Sequence, residues 1–211
     1  MSSLQKVLGN IRKELGEKEK IRENAQKDMR KATSLSKQAI LLIHQKRLNE
    51  AKKLVEKAKE IISKLNDISA KYPEIVYSGL FNAALQEYSE ANIFLKLIEE
   101  SRFITPKEIN VPSVDYVLGL ADVIGEYRRM ALDALREGKI KKGEKCLRIM
   151  DEIYTELMAM DEAYMLVPGL RRKCDSARKI IEATRGDVTQ EMRRSTLEKY
   201  LKRFEKLTKK R

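Results

Sequence analysis

The sequence predicts an all-α protein, a single-domain bundle of about six to seven longer helices. Three observations predict it. No Gly or Pro occurs between Gly16 and Pro73. Ala, Leu, Ile, Lys and Glu recur there at intervals of three and four, as amphipathic helices require. No stretch of the chain alternates convincingly in the manner of a β-strand.

Taken in order, a turn near Arg47 to Glu50 splits the Gly- and Pro-free stretch into two long helices. Leu35, Ala39 and Leu42 form the apolar stripe of the first, and Leu54, Ala58, Ile61 and Leu65 that of the second. Pro73 starts a third helix running to about Ser101. TPKE at Thr105 to Glu108 has the pattern of a capping box with Pro at the first helical position, opening a short helix. The next helix runs from about Ser113 to Glu137, with Gly138 as its left-handed cap, and another from about Ile140 to Met160. Pro168 and Gly169 open a further long segment, LRRKCDSARKIIEATRG, which Gly186 is expected to end. A last basic helix reaches Leu207, followed by the tail TKKR, so that residues from about 189 to 211 form a basic extension of the domain that spans 1–211.

The chain has 211 residues, with 44 Lys and Arg against 32 Asp and Glu and a formal charge of +12. A polyanion such as nucleic acid is the first partner this suggests, and an anionic membrane surface the second. No apolar run approaches the ~20 residues needed to cross a bilayer, and the first residues lack the apolar core of a signal peptide, so a soluble cytoplasmic protein is expected. The two cysteines, Cys146 and Cys174, lack CxxC spacing and read as reduced structural thiols rather than zinc ligands.

Within this basic chain some carboxylates have no cation at helical spacing. Glu56 shows the ordinary pattern, with Lys52, Lys53 and Lys59 around it. Glu87 instead has Ala83, Ala84, Glu90 and Ala91, and Glu90 has Gln86, Glu87, Ile93 and Phe94. Asp122 and Glu126 form a like-charge i,i+4 pair, which costs a few tenths of a kcal/mol when exposed and more when desolvated. Gly119 and Gly125 lie on the stripe of Asp122, where glycine suggests close approach of another backbone or a ligand. Convergence of the four acids would make an oxygen-only cluster of the kind that binds Mg²⁺ or Mn²⁺. Cations from other helices would answer the same electrostatic need.

AALQEYSEA (83–91) and VPSVDYVLGLADVIGEYRRMALDAL (111–135) closely resemble the translin family, particularly its translin-associated factor X branch. LRRKCDSARKIIEATRG (170–186) is similar to that family's C-terminal helix, and SLSKQAILLIH (34–44) to its first long helix, with Arg30, Lys37 and His44 at family-like places. The resemblance covers nearly the whole chain. It implies all-helical subunits assembling into hollow octameric barrels that bind single-stranded or short double-stranded nucleic acid. In the factor X branch it further implies metal-dependent RNA cleavage by the two glutamates of QEYxEA and the acids of ADxxGE, which are Glu87, Glu90, Asp122 and Glu126 here. Translin itself lacks the full acidic set, so retention of all four places the chain on the nuclease side. A non-catalytic binding protein is the alternative. The chain is shorter than eukaryotic factor X proteins and lacks their insertion before VDY, as archaeal members do. A homo-oligomer, with RNA as the first ligand and single-stranded DNA as the second, is therefore the expectation.

Arg30, Lys37 and His44 recur every seven residues and share a helix face that could track a phosphate backbone. Arg171, Arg172 and Lys173 cluster beside a helix start as further nucleic-acid contacts. Leu197, Tyr200, Leu201 and Phe204 line one side of the last helix, which suits docking to the body or to a partner.

Overall fold

The computed structural model describes residues 3–76, 79–160 and 164–208, and every longer element among them is an α-helix. In chain order these are α1 (Ser3–His44), α2 (Leu48–Lys71), α3 (Pro73–Val76), α4 (Gly79–Glu100), α5 (Pro106–Ile109), α6 (Ser113–Arg136), α7 (Ile140–Met158) and α8 (Leu170–Thr208). Six are long and two are single turns, which is the all-α architecture the periodicity predicts. The chain divides into two compact units, Met1–Gly119 and Leu120–Arg211. The predicted continuity of a helix from Pro73 to Ser101 turns on Tyr77 and Ser78, which lie outside the described residues, as do Lys209 to Arg211 of the tail.

In the first unit α1 packs on α2 and α4. The reversal between α1 and α2 falls at Gln45 to Arg47, slightly before the predicted position. Lys46 takes the left-handed conformation at φ 63°, and the turn is closed by Lys46 N–H to Ile43 O and Arg47 N–H to Leu42 O, both at 2.9 Å. The buried seam keeps the predicted Ala39, Ala58 and Leu65 but runs one position past the predicted Leu35, Leu42, Leu54 and Ile61. On α1 it comprises Ala25, Met29, Ala32, Ser36, Ala39 and Ile43, and on α2 Ala51, Val55, Ala58, Ile62 and Leu65. Alanine at every seventh place (25, 32, 39 and again 51, 58) lets helices approach closely, and the bulkier Leu35, Leu42, Leu54 and Ile61 flank that line half-buried. Ser36 is tolerated within it because its hydroxyl donates to Ala32 O at 2.9 Å.

Helix α4 is the most enclosed element, with every residue from Tyr88 to Leu95 buried. Its Ser89 hydroxyl and Asn92 amide donate to Leu85 O and Tyr88 O, each at 2.7 Å, so their burial costs little. Helix α5 has the predicted capping box. Thr105 Oγ1 accepts from Glu108 N–H at 3.3 Å, and Thr105 N–H donates to Glu108 Oε2 at 2.7 Å. Arg102 and then the Thr105 donors hold the Glu108 carboxyl down at about 2.

In the second unit Gly138 adopts φ +71° and closes α6 as expected. The predicted helix end at Gly186 is not found, because α8 runs unbroken from Leu170 to Thr208. Side-chain contacts bracket the glycine: Arg185 pairs with Asp151 at 2.8 Å, Arg128 donates to Thr184 Oγ1 at 2.7 Å, and Thr184 and Val188 are buried. These outweigh the ~1 kcal/mol that glycine costs in a helix interior. No atom lies within 4 Å of a methyl group built on Gly186. Gly186→Ala is therefore expected to raise unfolding stability by about 1 kcal/mol in urea titration.

Candidate functional site

The first unit positions two of the four singled-out carboxylates on α4. Glu87 is partly exposed, and the Lys37 ammonium of α1 reaches its Oε1 at 3.1 Å. Glu90 is 8 % exposed, one of few charged side chains buried among the described residues. Gly119 of α6 lies against this turn. A Cβ there would stand 2.7 Å from Gln86 O, 2.8 Å from Ser89 Cβ and 3.0 Å from Glu90 N. Only glycine permits the α6 backbone to sit so close. Gly125 does not share this constraint, since nothing lies within 4 Å of a Cβ built on it.

A second buried carboxylate, which the spacing argument missed, is Asp115 in the first turn of α6 at 3 % exposure. Gln86 of the same α4 turn donates to its Oδ1 at 3.4 Å. Burial pushes the Asp115 carboxyl above its ordinary value, with the Gln86 hydrogen bond opposing. The group therefore favours folding below its unfolded pKa near 3.8 and costs stability as pH rises through the elevated folded value. Asp115→Asn should therefore stabilise the protein at pH 7. In thermal melts the gain should shrink as pH falls toward 4.

The basic face of α1 is partly a groove. Arg30 and Lys37, both exposed, line a depression of about 390 Å³ with Thr33, Ser34, Gln38, Leu80 and Ala83. The hydroxyls of Thr33 and Ser34 were not singled out by the charge pattern, although they occupy the same face. His44 does not belong to the groove. It is half-buried at the end of α1, its ring centroid 5.2 Å from that of Phe94.

In the second unit α6 carries Asp122 and, one turn on, half-buried Glu126. The Lys173 ammonium of α8 makes a short charged hydrogen bond to Asp122 Oδ2. Asp122, Arg172 and Lys173 line a depression of about 260 Å³ with Gly125 and Ser176. Arg171 is exposed on the first turn of α8. Cations from other helices thus meet Glu87 and Asp122. Among the described residues no three His, Cys, Asp or Glu side chains are grouped as a metal-holding cluster. No described helix is long and apolar enough to cross a membrane.

The translin family model matches residues 20–184. An uncharacterized protein of Methanocaldococcus jannaschii is 35% identical over 137 residues, covering 64% of this chain and 60% of its own length. The chain thus spans under two thirds of that curated relative. Among solved structures, the crystal structure of AfC3PO superposes with a TM-score of 0.79 at 37% identity, over 88% of this chain and 96% of that one. The AfC3PO complex with duplex RNA gives 0.78 at 36% identity over the same shares. Apo-NeC3PO gives 0.78 at 24% identity, over 87% and 96%, and supports the fold alone.

Proposed function

From a chain that belongs to the translin family, we propose an RNA-binding endoribonuclease of the factor X type, in which Glu87, Glu90, Asp122 and Glu126 together hold Mg²⁺ or Mn²⁺. Binding of duplex RNA by AfC3PO, similar over 88% of this chain, supports the nucleic-acid half of the reading. One observation carries the catalytic half. A carboxylate, Glu90, is kept in the most enclosed helix of its unit, on a turn that Gly119 allows the α6 backbone to touch. Carboxylates are kept at buried positions only where something compensates them, and the oxygen-only donor set fits a hard divalent cation.

When bound, the ion supplies Lewis acidity at the scissile phosphate and a water of lowered pKa. The chain's own residues do the rest. Arg30, Thr33, Ser34 and Gln38 receive backbone phosphate and sugar oxygens in the α1 groove, and Arg171 and Arg172 do so on α8. Lys37 pairs with Glu87 and Lys173 with Asp122; with those carboxylates holding an ion, the two ammonium groups would be available to phosphate. A homo-oligomer with RNA, and secondarily single-stranded DNA, as ligand completes the reading.

The test is cleavage of a labelled single-stranded RNA by the purified chain with Mn²⁺ and with chelator, alongside Glu90→Gln and Asp122→Asn. Chelator-resistant cleavage, or full activity of folded variants, would remove the assignment. Salt-sensitive RNA binding without cleavage would instead favour the non-catalytic alternative.

A further inference from the structure

The apolar seam of α1 does not stop where α2 stops covering it. Leu4, Leu8, Ile11 and Leu15 stand at intervals of four, three and four, and the same alternation passes through Lys18 and Arg22 into the buried Ala25, Met29, Ala32, Ser36, Ala39 and Ile43. It is one continuous heptad seam. Lys18 marks the change of environment. It pairs with Glu14 at 3.1 Å and reaches Glu74, just beyond the end of α2, at 3.9 Å. Residues before it extend past their covering helix. Leu4, Val7, Leu8, Ile11 and Leu15 are accordingly 65, 52, 51, 45 and 58% exposed. This segment precedes residue 20, where the family match begins.

We propose that residues 4–15 of α1 pair antiparallel with the same residues of a second copy. The heptad spacing calls for another helix, and the flanking charges select which one. With Leu8 and Leu15 at a positions and Leu4 and Ile11 at d, the neighbouring e and g places hold Gln5, Arg12 and Glu19, and Val7 and Glu14. A parallel pair sets Val7 against Arg12 and, just past the apolar segment, Glu14 against Glu19 of the second copy, two acids that Lys18 and Arg22 only partly offset. An antiparallel pair sets Glu14 against Val7 and Arg12 against Gln5, with Leu4 facing Leu15 and Leu8 facing Ile11. No like charges meet. Another exposed apolar stripe, Leu197, Tyr200, Leu201 and Phe204 on α8, brings two aromatic rings and a mixed flank of Arg194, Glu198, Arg203 and Glu205. Its rings match the aliphatic seam of Leu4, Leu8, Ile11 and Leu15 less well than a second copy of that seam does. Gly9 and Gly16 fall at outward b positions with nothing within 4 Å of a Cβ built there. A helix weakened by two glycines is held by such pairing, and the pairing needs no new nucleus because the helix is already continuous with a packed one.

This inference does not depend on the cleavage reading. In the full chain, a tagged Leu8→Cys variant is mixed with an untagged Ile11→Cys variant and oxidised. Cys146 and Cys174, at 3 and 2% exposure, stay silent. The expected product is the mixed-mass disulfide dimer, at least tenfold over the Leu8→Cys self-dimer. A second arm, Leu8→Glu with Ile11→Glu, should lower the mass seen by light scattering and cost no more helical signal than the first four turns of α1 contribute. Dominant Leu8→Cys self-dimers (a parallel pair), crosslinking only to a Leu201→Cys variant (α8 as occupant), or no crosslink with unchanged mass would each overturn it.

Discussion

Glu90→Gln is expected to lower metal-dependent RNA cleavage by a thousandfold or more while the protein remains folded. The substitution keeps shape and volume in a side chain only 8 % exposed, so the packing of α4 has little to lose. What disappears is the negative charge. An amide oxygen is a weak ligand for a hard dication, and a thousandfold loss corresponds to about 4 kcal/mol of transition-state stabilisation. RNA affinity should move the other way, with binding in chelator unchanged or modestly tighter, because one repulsive charge near the phosphates is gone. Cleavage rates, gel-shift affinities and a thermal melt on the same preparation separate these effects. Weakened RNA binding together with a lowered melting temperature would mark Glu90 as a structural residue.

The largest effect on stability is expected at Gly119. A methyl group there would meet Gln86 O at 2.7 Å and Glu90 N at 3.0 Å, and both neighbours are backbone atoms of a buried helix that cannot rotate aside. Gly119→Ala should therefore cost about 2 kcal/mol, an overpacking penalty of about 3 kcal/mol outweighing the helix-propensity gain of about 1 kcal/mol. For a chain of this size that is about 4 to 8 °C in melting temperature. Gly125 provides the internal comparison. It lies on the same helix in open space, so Gly125→Ala should keep the propensity gain and stabilise. Equal responses of the two variants in urea unfolding would contradict the close approach.

These two residues also illustrate how much the sequence disclosed. Local devices were legible because their causes are local. Thr105, Pro106 and Glu108 lie within one turn, and Gly138 supplies the positive φ that its cap requires. Gly186 misled because its small local cost is overridden by Arg185–Asp151 and Arg128–Asp187, contacts no window of sequence displays. The acids at 87 and 122 read as unpartnered for the same reason. Their lysines stand on other helices, 51 residues away in the case of Lys173 and Asp122. Asp115 offered a faint signal as a carboxylate in the first turn of a helix, a place that favours acids for ordinary dipole reasons and so conceals one that is buried. The small-residue line at 25, 32, 39, 51 and 58 was visible as a repeat, yet the larger leucines beside it drew the predicted seam one position off.

Under the cleavage proposed above, the two lysine–carboxylate contacts bear on the order of binding. Bare carboxylates repel a polyanion, but Lys37 already quenches Glu87 and Lys173 already quenches Asp122. RNA would then dock before any divalent ion is present, and adding the ion to a preloaded complex would release a single burst of cleavage.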